Sequence, residues 1–228
     1  MKNLISIVAG AILFFSVSQV SSQTVGFSYF FPTHGYFTNP IAPLNLSLPV
    51  SFGKYFQISP GVSMNNIGGM SMTGLGENLD SKRPLVGPFQ SINGSLIPTI
   101  VIPAKSFRVD IMGGVFGFAS INTKLMHGNF DTMFNEHYNY YVITSDMQYD
   151  KDSFGWGYVY GIKFSFRIRK NIWGYFGGKY YMGSQGMPLS GNITGATEAD
   201  NIVRFETTFP DAAMRYEGIE FIVGVSIK

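Results

Sequence analysis

From Phe154 to Lys170 the chain reads FGWGYVYGIKFSFRIRK, and its side chains divide into two sets of opposite parity. Phe154, Trp156, Tyr158, Tyr160, Ile162, Phe164, Phe166 and Ile168 occupy one parity, while Lys163, Arg167 and Arg169 stand on the other with glycine and serine. A period of two belongs to a β-strand, whose successive side chains point to opposite faces. In a soluble sheet the aromatic face would be the core. In a transmembrane barrel that face meets lipid, and the Gly, Ser, Lys and Arg face lines the lumen.

Seven more segments of this kind are found along the chain. The spacing predicts strands over Thr24–Phe31, Pro43–Phe52, Tyr55–Ile67, Ser91–Ile102, Phe107–Asn122, Ile172–Ser184 and Met214–Lys228, with mixed parity in Ser91–Ile102. Eight is an even number, as single-chain bacterial barrels require. Short connections (Gly53-Lys54, Pro103-Ala104-Lys105-Ser106, Arg169-Lys170-Asn171) alternate with long ones near Pro32–Ala42, Gly68–Gln90, Thr123–Ser153 and Gln185–Ala213. Short turns on one rim and long loops on the other are the mark of a closed, antiparallel, up-and-down, all-β membrane barrel, with periplasmic termini on the short-turn side. Pro49, Pro60 and Pro98 fall within predicted strands, where each removes a ladder hydrogen bond, so bulges or rim positions are expected there.

The first residues form a separate unit. Lys2, the apolar run Leu4–Val17 and the small residues before Gln23 have the layout of a secretory signal peptide over 1–22. The apolar run rises only about 21 Å as a helix, short of the roughly 30 Å hydrocarbon core. The remainder, 23–228, reads as one domain without linker or repeat. Composition agrees with a membrane barrel: 13% of residues are charged and 16% aromatic, with 27 glycines. An ordinary soluble domain carries about 25% charged residues. The chain has no cysteine, so no disulfide holds it after export. A net charge of only +2 offers no clustered basic excess for a nucleic-acid partner.

On these residues the chain resembles the small eight-stranded bacterial outer-membrane barrels of the OmpA/OmpX/OmpW kind, in the versions common among Bacteroidota-type bacteria. The terminal segment GIEFIVGVSIK is similar to the C-terminal strand by which barrel-assembly machinery recognises its clients, although it ends in Lys228 and not in an aromatic residue. The resemblance implies an outer-membrane protein of the Gram-negative cell envelope. Its partners would be outer-membrane lipid, the assembly machinery during insertion, and a protein or surface ligand at the extracellular loops.

Parity then places charges inside. Arg108, Asp110, Lys163, Arg167, Arg169, Lys179 and Glu220 are expected to point into the lumen, because Arg or Lys on the lipid face costs about 2–4 kcal/mol at mid-membrane. An eight-stranded barrel is only wide enough for its own side chains. The set therefore reads as a packed structural network in which Asp110 and Glu220 neutralise the cations, in preference to an ion path. Aromatics near strand ends, among them Phe30, Phe31, Tyr55, Phe56, Phe107, Phe154 and Trp156, are candidates for interfacial girdles.

Little catalytic chemistry is visible. His127, Asp131, Glu136 and His137 lie close together in a predicted loop, but at no compact metal-ligand spacing, and solvated loop polars are the preferred reading. No G-x-S-x-G elbow occurs, and neither an enzyme nor a cofactor is expected. Long loops bearing Tyr138, Tyr140, Tyr141 and Tyr149 point to a structural or interaction role at the surface. The alternatives are a narrow channel or lateral-diffusion transporter for small or hydrophobic solutes, favoured by the glycines of the seventh strand, and an outer-rim lipid-modifying enzyme.

Overall fold

A computed structural model describes residues 23–36, 42–76, 79, 83–149, 153–198 and 201–227. The predicted signal peptide, 1–22, lies outside the described residues, as does Lys228.

Eight antiparallel staves close into a ring. They are β1 (Gln23–Pro32), β2 (Ala42–Ser47) continued by β3 (Val50–Phe52), β4 (Phe56–Ile67), β6 (Val86–Pro103), β7 (Phe107–Leu125), β9 (Gly155–Arg169), β10 (Ile172–Gly186) and β13 (Ala213–Ile227). Each pairs with its neighbour in chain order, and β1 pairs with β13 from Gln23↔Ile227 to Pro32↔Gly218, which seals the wall. The outer face carries a broad apolar band: Phe27, Leu96, Tyr160, Phe221 and Val223 are all exposed. Soluble monomers rarely leave an apolar band that encircles the molecule open to water. The wall is therefore a transmembrane barrel, and its band is the lipid face.

The prolines behave differently from one another. Pro49 interrupts the second stave between β2 and β3, as a bulge would. Pro60 and Pro98 do not: β4 and β6 stay in one register from Phe56↔Ile100 to Ile67↔Phe89, through Ile58↔Pro98 and Pro60↔Leu96. The mixed parity of β6 has a plain cause, since its inward face carries the apolar Ile97 and Val101 among Ser91, Asn93 and Thr99.

At the long-loop end the structure corrects the loop reading. The β7–β9 connection contains α1 (His127–Tyr138) and β8 (Val142–Tyr149), and the β10–β13 connection contains β11 (Leu189–Glu198) and β12 (Asn201–Phe209). These strands form a second sheet in the order β12-β11-β8. The helix buries Phe130, Met133 and Phe134, one stripe at helical spacing. Its C-cap, Asn139, adopts the left-handed conformation that ends many helices. A short β5 (Met72–Thr73) pairs with the start of β13. Together these elements make a cap whose core runs from Phe134 and Phe209 through Leu85 and Met187 down to Phe89 and Tyr216 in the barrel. At about 3.3 Å per residue, the 19 residues of β7 outreach a bilayer and meet the cap above it.

Candidate functional site

The lumen holds two buried ion clusters. β7 and β9 are in register with Asp110 opposite Lys163, and both side chains point inward. Lys163 Nζ lies 3.2 Å from Asp110 Oδ2. Arg108 approaches the same carboxylate from two residues away, with Nε on Oδ1 and Nη2 3.0 Å from Oδ2, and Nη2 also donates to Gln57 Oε1 at 2.6 Å. Lys163 Nζ stands 5.3 Å from the centre of the Tyr175 ring, which supplies a second favourable contact for the cation.

β10 and β13 place Lys179 opposite Glu220. Lys179 Nζ is 3.1 Å from Glu220 Oε2, and the Tyr181 hydroxyl donates to the same oxygen at 2.8 Å. Room for the lysine stems comes from glycine. Lys163 faces Gly177 and Lys179 faces Gly161 across the β9–β10 ladder. A Cβ at Gly177 would lie 2.8 Å from Lys163 Cα, and one at Gly161 would lie 2.9 Å from Lys179 Cα. Gly161 of β9 and Gly177 of β10 thus let two strands and a long side chain share one layer. They open no gap, because β10 stays paired with β13 along all its residues.

Arg167 does not join this set. It is exposed at the short-turn rim, with Nη2 on the Lys170 carbonyl at 3.3 Å, and Arg169 is exposed beside it. The β9–β10 register shifts between Ile172 and Trp173, so the last turn of the hairpin departs from strict parity where the wall ends.

Beyond the charges the lumen is filled by aromatic rings, a residue type that parity assigns mainly to the outer wall. Tyr216, fully buried, lies 4.7 Å from Phe118, 4.9 Å from Phe30 and 5.3 Å from Phe116, centre to centre. Its hydroxyl accepts from Asn65 Nδ2 and, at 3.0 Å, from Asn93 Nδ2. Phe30 is therefore part of this plug and not of a girdle, whereas Phe31, Tyr55, Phe56, Phe107, Phe154 and Trp156 are exposed outside. Inward parity is the signal that marks Gln57, Asn65, Asn93, Tyr175, Tyr181 and Tyr216, and a reading of charge alone passes over them. Two small cavities lie among these side chains, one of about 40 Å³ among Ser47, Ser59, Ser95, Lys163 and Lys179, and one of about 10 Å³ beside Asp110 and Trp173. That is room for a few water molecules.

The loop residues with metal-ligand character are not brought together. Asp131 Oδ1 accepts from both the backbone N–H and the hydroxyl of Ser145 at 2.6 Å, which ties α1 to β8. His137 packs edge-on against Tyr138. Among the described residues no group of three His, Cys, Asp or Glu side chains could hold a metal ion.

No protein-family model matches the chain, and no curated protein matches it in sequence. Solved structures do resemble it. They include the outer membrane protein OprG from Pseudomonas aeruginosa (11% identity over 90% of this chain and 93% of that one, TM-score 0.48). A major outer membrane protein from Thermus thermophilus (10%, 91% and 98%, TM-score 0.40) and Ail, the attachment invasion locus protein of Yersinia pestis (11%, 90% and 94%, TM-score 0.37), are similar as well. Likenesses at this level establish no family membership.

Proposed function

We propose that this chain is an integral outer-membrane protein that works by presenting its cap at the surface, and that its barrel is an anchor and not a conduit. The observation that carries this reading is the filled lumen. Ion clusters, aromatic plug and cap lie in series, and the cavity between Lys163 and Lys179 is only about 40 Å³. A solute of even modest size would have to displace buried, mutually paired charges, which is expensive in low dielectric. The cap has the character of a recognition surface: Tyr141, Val142 and Ile202 stand exposed on it, at 83%, 56% and 72% of their full area. Aromatic and aliphatic anchors among polar neighbours are what protein contacts use. The partner is a protein or surface ligand met at these positions.

The test has two arms. Purified protein in planar bilayers is expected to give no discrete conductance steps, and steps would overturn the reading. Single cysteines at Ile202 and Tyr141 of this cysteine-free chain, fitted with a crosslinker on whole cells, are expected to capture a discrete partner that a cysteine at lipid-facing Phe27 does not.

A further inference from the structure

Each of the three short turns carries exposed cations: Lys54 between β3 and β4, Lys105 between β6 and β7, and Lys170 between β9 and β10, next to Arg169 at the end of β9. Among the described residues none of these four forms an ion pair. The one described carboxylate near this rim is Asp110, which is buried and already engaged by Arg108 and Lys163. Among the described residues the exposed charges of this rim are therefore all positive.

Two further features say what meets it. First, exposed aromatics ring the outer wall directly beside the turns: Phe52, Tyr55 and Phe56 at one hairpin, Phe107 and Phe166 at the adjoining strands. Aromatic rings settle at the boundary between acyl chains and headgroups, which sets the turn cations at the depth of the lipid phosphates. Second, the mouth of the barrel at this end is a recess of about 340 Å³, lined by Lys54, Lys105, Arg108 and Trp173 together with Gly53 and Ala104, and by no carboxylate. Low-dielectric walls around such a recess concentrate its positive field.

We infer that the short-turn rim binds anionic phospholipid, with the phosphate-bearing headgroup received between Lys54, Lys105 and Arg108 and the acyl chains lying along the aromatic wall. Phosphate suits these donors, since two flexible ammonium groups can close on it from the turns while Arg108 is held from below by Asp110. The inference rests on the membrane reading above.

The experiment uses the whole protein in nanodiscs of phosphatidylethanolamine and phosphatidylglycerol in equal amounts. Lipids retained after gentle detergent extraction are counted by native mass spectrometry. Insertion is read separately from the faster migration of unboiled protein on a gel. Wild type is expected to retain phosphatidylglycerol preferentially, and the combined Lys54→Ser, Lys105→Ser and Lys170→Ser variant to lose about tenfold of that preference while still migrating as a folded barrel. Lys54→Gln alone supplies a milder variant. Equal retention of the two lipids by folded wild type, or undiminished preference in the variants, would overturn the inference and leave the membrane reading intact. Displacement of the lipid by excess inorganic phosphate, or capture of a glutamate-rich peptide with unchanged lipid preference, would overturn it in favour of a soluble anion or an acidic protein. Protein that never shows the folded band would overturn both readings.

Discussion

Asp110 and Lys163 stand directly opposite each other on β7 and β9, with their charged groups 3.2 Å apart inside the barrel. Asp110 has no accessible surface and is the shared acceptor of Lys163 and Arg108. Replacing Asp110 by Asn removes the charge that both cations are matched to. The expected loss is about 3–5 kcal/mol of barrel stability, read as the urea midpoint of the folded gel band. Lys163→Met in the same chain is expected to restore part of it, a favourable coupling in a double-mutant cycle. A purely additive pair would show that the two groups do not interact.

Glu220 forms a separate cluster with Lys179 and Tyr181. Coupling is therefore expected between Lys179→Met and Glu220→Gln, and it is expected to exceed the coupling between Lys163→Met and Glu220→Gln. Urea midpoints of the single variants and the two double variants decide the order.

Tyr216 is the centre of the aromatic plug. Tyr216→Ala removes ring contacts to Phe30, Phe116 and Phe118 and strands the Asn65 and Asn93 amides. A destabilisation of about 3–5 kcal/mol is expected from the cavity. Conductance is expected to stay absent, because the ion clusters and the cap close the lumen independently.

Asp131 acts as a clasp between helix and sheet. Asp131→Ala leaves the Ser145 N–H and hydroxyl without their acceptor, at a cost of about 1–3 kcal/mol. The cap is expected to become sensitive to limited proteolysis while the barrel keeps its folded gel mobility. Loss of both together would show that the cap and barrel unfold as one unit.

The facing of β9 is open to chemical labelling. Cysteines at Tyr160 and Ile162, 52% and 41% exposed on the outer wall, are expected to react with lipid-phase reagents, and a cysteine at position 163 is not. The opposite pattern would move the strand by one register position.

The sequence by itself determined the wall. A period of two is a local property, and it survives in any strand that separates lipid from lumen, so all eight staves and the alternation of short and long connections were legible, and so was the facing of every stave except the one over Ser91–Ile102. Arg108, Asp110, Lys163, Lys179 and Glu220 could be placed inward for the same reason. Pairing was not legible, because which carboxylate meets which lysine depends on register between strands. Asp110 goes to Lys163 and Glu220 to Lys179 because β7–β9 and β10–β13 align them. The cap was decided only in three dimensions. β8 and β11 pair Gln148 with Ser190 across a barrel hairpin, and neither strand is long or apolar enough to declare itself alone. Arg167 shows the limit from the other side: it keeps the parity of Lys163 and Ser165 but stands at the rim, where its side chain is exposed, and alternation does not say where along a strand the lumen ends. Local period fixes what faces where, and long-range register fixes what touches what.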